Sequence, residues 1–182
     1  MPPNRLSDLV LNAHSSPRRT GALAAGRVVF VNVSAGGVPK LPVSEARLGP
    51  HGLGGDSQRQ RRIHGGPTRA LCLYSLEHIR ALQSEGHPIA PGSTGENITL
   101  EGIDWMQLVP GAGLALGEAV VEITSYTEPC GQIRRSFRHG DSRRIDQDEH
   151  PGWSRVYARV ITPGVIHTGD AARVLRAHAA AE

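Results

Sequence analysis

Ile123-Thr-Ser-Tyr-Thr-Glu-Pro-Cys-Gly-Gln-Ile133 decides how this chain is read. Apolar alternation through Val121, Ile123 and Ser125 predicts a half-buried strand that stops at Pro129, because proline lacks the N–H a ladder needs. Its fixed φ suits the first turn of a helix continued by Gln132, Ile133 and Phe137. Cys130 therefore sits at a strand-to-helix junction, where unpaired N–H groups favour a thiolate. A thiolate so placed is a metal ligand or a sulfur carrier; the structural alternative is a small buried thiol that fills space.

Working outward, the flanking segments repeat the pattern of strand and tight turn. Arg27–Val33 is a buried strand candidate, Leu41–Leu48 a second, and Gly49–Gly55 a glycine-rich turn. Arg69–Tyr74 predicts an apolar strand, followed by a helix capped at Ser75, running to Gln83 with Leu76, Ile79 and Leu82 on one face, and closed by Gly86. Glu96–Glu101, Gln107–Val109 and Leu114–Ile123 predict further strands, and Trp153–Ile161 and Ala171–Leu175 the last two, with turns at Pro163-Gly164 and Gly169-Asp170. Many strands with two helices suggest a closed or nearly closed sheet. The 22 glycines and 13 prolines agree, since they supply tight turns rather than helical bundles.

A length of 182 residues and 38% hydrophobic content support one domain with a real core. Residues 1–20 are expected to be a leader and linker, 21–176 the domain, and 177–182 a tail. Arg18-Arg19 is not followed by a long enough apolar stretch for export, and no apolar run reaches membrane-spanning length, so a cytoplasmic protein is expected. Two cysteines allow neither a disulfide framework nor an iron–sulfur cluster held by this chain alone.

Net charge is only +3, but the arginines are grouped. Arg59, Arg61 and Arg62 form one group, and Arg134, Arg135, Arg138, Arg143 and Arg144 another. Each is a solvated face or a phosphate site. A nucleic-acid-binding module is a minor alternative, because aromatic side chains for base stacking are scarce. The segment Gly54–Ala70 joins four arginines, His64 and several glycines into what reads as an anion cradle, since guanidinium forks match phosphate oxygens and glycine allows close approach. In Pro91–Leu100, Gly95-Glu96-Asn97 presents an acid and an amide where a strand begins, and an amide can meet a heterocycle edge with donor and acceptor. No His-x-His or His-Glu-x-x-His spacing supports a zinc hydrolase. Cys72, within an apolar strand, is expected to be an inert core thiol.

Together, His64-Gly-Gly-Pro-Thr-Arg-Ala70, Pro91-Gly-Ser-Thr-Gly-Glu-Asn-Ile-Thr99, Glu128-Pro-Cys-Gly-Gln-Ile133 and Val156–Asp170 resemble the MOSC domain, named for the C-terminal part of molybdenum-cofactor sulfurases. The resemblance runs from about Gly26 to Arg176. It implies a mostly β, α+β fold: a β-barrel with a mixed sheet, a few short helices, and a molybdenum–molybdopterin cofactor bound in its mouth. It also implies Cys130 as metal ligand or sulfur acceptor and Arg69 facing the cofactor phosphate, with His64, Asn97, Glu96, Arg62 and Tyr157 completing the cofactor-binding set. The expected activity is reduction of N-hydroxylated small molecules such as hydroxylamines and amidoximes, with a separate flavin or iron–sulfur protein supplying electrons. The alternative is a sulfur carrier that passes a Cys130 persulfide between donor and acceptor proteins. Pyridoxal phosphate, a property of some larger relatives, is not expected here, nor are their additional barrel and helical extension.

Overall fold

A computed structural model describes residues 26–57 and 66–175. The expected leader and tail, and with them His64, Arg59, Arg61 and Arg62, lie outside the described residues.

The fold is mostly β. Its strands are β1 (Gly26–Val33), β2 (Leu41–Val43), β3 (Glu45–Gly49), β4 (Gly52–Leu53), β5 (Leu71–Ser75), β6 (Ile98–Glu101), β7 (Gly113–Leu116), β8 (Ala119–Tyr126), β9 (Val156–Thr162), β10 (Gly164–His167) and β11 (Ala171–Leu175), with one α-helix, α1 (Leu76–Ser84). The main sheet runs β11-β7-β8-β9-β5-β6-β1-β2, and β11 pairs again with β1 through Gly26↔Ala172. Seven strands therefore close into a barrel, and β2 hangs on the outer edge of β1. Closure removes free sheet edges, which in open sheets invite aggregation. The sheet is mixed because β5 and β6 run parallel while the other barrel pairs are antiparallel.

Burial follows from these positions. Along β8, Ala119, Val121 and Ile123 are fully buried while the residues between them are not. That is the alternation expected of a strand wet on one face. All five residues of β5 are buried. One of its faces looks into the barrel and the other lies under α1, whose Leu76, Ile79 and Leu82 form the covering stripe. Ser75 starts that helix, its side chain accepting the His78 N–H at 3.2 Å.

Four details depart from the sequence reading. The segment Leu41–Leu48 is not one strand: it breaks at Ser44, sending β2 to β1 and β3 into a separate three-stranded sheet ordered β10-β3-β4. The last connection is not a plain turn, because β10 lies inside it and pairs with β3. Gln107–Val109 forms no strand. The chain there makes a 3-10 turn at Trp105–Gln107, capped by the Asp104 side chain. After Cys130 comes a six-residue 3-10 turn, Gly131–Ser136, rather than an α-helix. No helix among the described residues is long and apolar enough to cross a membrane.

Candidate functional site

The strand leading to Cys130 is re-aimed before it ends. Register between β8 and β9 shifts between Ile123 and Ser125, so that Ser125 and Tyr126 face Tyr157 and Val156. Such a bulge bends the strand and increases its twist. The chain then leaves the sheet held by Ser154 and Arg155: Thr127 N–H donates to the Arg155 carbonyl at 3.0 Å, and the Ser154 hydroxyl donates to the Thr127 carbonyl at 3.0 Å. Cys130 follows, half-buried against the core, its side chain making no capping hydrogen bond.

Cys130 opens onto a cleft of about 620 Å³, counting the solvent at its mouth. From the predicted set the cleft brings together Cys130, Arg69, Asn97 and Tyr157; it adds Lys40, Cys72, Thr94 and Arg155. The Arg69 guanidinium stands over the Tyr157 ring, 5.3 Å from its centre. Burial, the largest influence on both groups, pushes the Tyr157 hydroxyl up to about 12 and the Cys72 thiol up to about 11. Cys72 is the core residue expected, only 6% exposed, yet it also forms part of the cleft wall.

Glu96 and Asn97 serve the cleft through other groups. Glu96 is fully buried, and its carboxylate is not among the groups lining the cleft. It accepts the Gly92 N–H at 2.5 Å and the Thr94 hydroxyl at 2.7 Å, folding Pro91–Glu96 onto itself. Burial raises this carboxyl above the usual range, opposed by those hydrogen bonds. The Asn97 amide is held on both sides: its oxygen accepts the Cys72 N–H at 3.2 Å, and its nitrogen donates to Asp56 at 2.9 Å and to the Asn32 carbonyl at 3.3 Å. Both residues shape the site; neither carries a free polar group toward it.

Gly92 permits this folding. It has φ +79, and a Cβ there would stand 2.2 Å from the Lys40 carbonyl oxygen. Gly92→Ala is expected to cost more than about 1 kcal/mol, since alanine is strained at positive φ and the two loops must separate. A urea titration checks this, and unchanged stability would show that the loops are not in close register.

Sequence reading missed the two buried cations. Arg155 is 5% exposed; one terminal nitrogen donates to the Thr94 carbonyl and the other to the Glu128 carbonyl at 3.5 Å. Its Nε is buried and has no hydrogen-bond partner. Lys40, 7% exposed, pairs with Asp56 at 2.5 Å. Arg155 precedes the quoted Val156 motif by one residue, and Asp56 lies in the segment already read as a cradle, so the only signal was proximity to motifs. The second arginine group is partly neutralised instead: Arg143 pairs with Asp141 at 2.7 Å and Arg144 with Glu85 at 2.7 Å, the latter also stacking 3.8 Å over Trp153. That pattern fits a folded surface better than an open stripe for nucleic acid.

A barrel with this cleft, and with the thiol after the bulge, agrees with the result of family comparison: the MOSC domain matches residues 60–173. The chain belongs to the MOSC domain family. Relatives include Protein YiiM of Escherichia coli K12, 31% identical over 135 residues, or 71% of this chain and 59% of YiiM. Uncharacterized protein YflK of Bacillus subtilis is 29% identical over 135 residues, 73% of this chain and 60% of YflK. This MOSC chain thus matches about three fifths of each relative's length. The crystal structure of YiiM from Escherichia coli superposes with a TM-score of 0.62 at 25% identity, over 83% of this chain and 70% of that one.

Proposed function

We propose that this MOSC domain binds a molybdenum–pterin cofactor through Cys130 and reduces N-hydroxylated small molecules with electrons from a separate flavin or iron–sulfur protein. One observation carries the reading: a half-buried thiol and a buried arginine with an unpaired Nε line the same cleft. A soft thiolate suits molybdenum, and an unsatisfied buried N–H is costly unless a ligand supplies an acceptor. Among the described residues no group of three or more His, Cys, Asp or Glu side chains could hold a metal unaided. A dithiolene-bound molybdenum brings ligands of its own, so Cys130 would need to supply only one.

The residues fit such a group. Cys130 would hold the metal, Arg155 and Arg69 the anionic part of the cofactor, and the backbone edge of Thr94–Gly95 the heterocycle. When bound, the cofactor would supply the two-electron redox chemistry of the reduction. The chain's own part is to orient and to exclude water. The Arg155 guanidinium ties the lead-in to Cys130 to the Thr94 loop, which fixes the spacing of the cleft.

The test is metal analysis with pterin oxidation fluorescence on protein expressed in a host able to make the cofactor. Stoichiometric molybdenum and pterin, with reduction of a hydroxylamine or amidoxime, are expected. Protein that carries cyanide-labile sulfur on Cys130 and no pterin would overturn the reading in favour of sulfur transfer.

A further inference from the structure

Lys40 and Asp56 form an ion pair in which both side chains are more than nine-tenths buried, at 7% and 6% exposure, and Lys40 lines the cleft. Such a pair is a poor device for stability, because desolvating two charges offsets most of their attraction. Its geometry is unusually constrained. One Asp56 oxygen accepts Lys40 Nζ at 2.5 Å and Asn97 Nδ2 at 2.9 Å; the other accepts the Ser34 N–H at 2.9 Å. Asn97 cannot flip, since its oxygen already accepts the Cys72 N–H. The carboxylate is therefore clamped from three sides, and it holds the ammonium by a single bond. The two remaining Lys40 N–H donors have no partner among the described residues.

We propose that Lys40 is the proton donor of the cleft and that Asp56, braced by Asn97, is its positioning residue; this rests on the reductase reading above. Cleaving an N–O bond expels hydroxide unless an acid protonates the oxygen as it leaves. The other groups lining the cleft suit that task poorly. Arg69 and Arg155 do not release protons near neutral pH. Cys130 is committed to the metal, and the neutral Cys72 thiol and Tyr157 hydroxyl would each leave a buried anion on giving up a proton, whereas an ammonium leaves a neutral amine. Lys40 lines the cleft, and its ammonium is held by one carboxylate.

The step balances as follows. A hydroxylamine takes up two electrons and two protons to give an amine and water. The electrons come from the reduced flavin or iron–sulfur protein, which is oxidised. Lys40 Nζ gives one proton to the hydroxyl oxygen, the N–O bond breaks with its pair on oxygen, and water departs. The nitrogen, left with the incoming electron pair, takes the second proton from solvent, and solvent reprotonates Lys40.

Lys40→Arg separates charge from acidity, since guanidinium can keep the Asp56 pair but not donate. In cofactor-loaded protein the expected result is wild-type molybdenum and pterin content, kcat lower by about 100-fold, and residual turnover rising about tenfold per unit fall in pH as hydronium takes over. Asp56→Asn, wherever it folds, is expected to lower kcat and steepen the pH profile with KM nearly unchanged. Lys40→Arg with kcat within about twofold of wild type overturns the proposal. So does loss of cofactor with unchanged turnover per bound molybdenum, which would make Lys40 a cofactor anchor. Wild-type protein that loads no cofactor overturns the reductase reading itself, a result visible before any variant is made.

Discussion

Cys130→Ala is expected to leave a folded barrel that retains no molybdenum and whose turnover falls by at least about 100-fold, since removing even the partner of a metal ligand costs 10–100-fold. Folding should survive because the side chain is half-buried at the end of a strand and makes no capping hydrogen bond. The only loss is the packing of one small group against the core. Metal analysis and a thermal melt on the same sample separate the two effects. Cys72→Ala is the matched control: a thiol pushed up to about 11 by burial is neutral at pH 7 and a weak ligand, so molybdenum content should hold while stability drops modestly. Equal molybdenum in the wild type and the Cys130 variant would remove the basis for assigning the metal to this thiol.

The two cysteines show what sequence can and cannot convey about such a site. The position of Cys130 was legible because proline and the end of apolar alternation mark where a strand leaves a sheet, and these are local signals. The helix expected after it was not, because the spacing of Gln132, Ile133 and Phe137 fits an α-helix and a 3-10 turn almost equally over so few residues; Gly131–Ser136 takes the tighter form. Long elements with a buried face were readable, as α1 shows. The short strands β4 and β10 were not, since their existence depends on what lies beside them rather than on their own residues. Motifs located the cleft but not its wiring. Asn97 lines the cleft and Glu96 is fully buried outside its lining, and their polar atoms are engaged by Gly92, Thr94, Cys72 and Asp56. Arg155 and Lys40, the buried cations among the described residues lining the cleft, are brought there only by the fold.

That wiring makes Asp56→Ala the variant with the largest expected effect on stability, at about 3–5 kcal/mol. The carboxylate is the sole ion-pair partner of Lys40 among the described residues, and its loss leaves an ammonium that is only 7% exposed without a counter-charge. It also removes the acceptor of the Ser34 N–H and one acceptor of Asn97, and each unsatisfied buried donor adds its own desolvation penalty. Against a total stability of about 5–15 kcal/mol for a domain of this kind, the loss is large enough to lower the urea midpoint sharply with the m-value unchanged. Lys40→Met combined with Asp56→Leu is expected to recover the part due to the uncompensated charge, because exchanging both charges for apolar groups removes the desolvation cost that the pair imposes, while the Ser34 N–H and the Asn97 amide still lack their acceptor. If the double variant is as stable as the wild type but inactive, the pair is retained for the chemistry of the cleft rather than for the fold. If Asp56→Ala costs less than about 1 kcal/mol, the figure for an exposed pair, water reaches Lys40 freely and the clamp around Asp56 does not hold the ammonium in place.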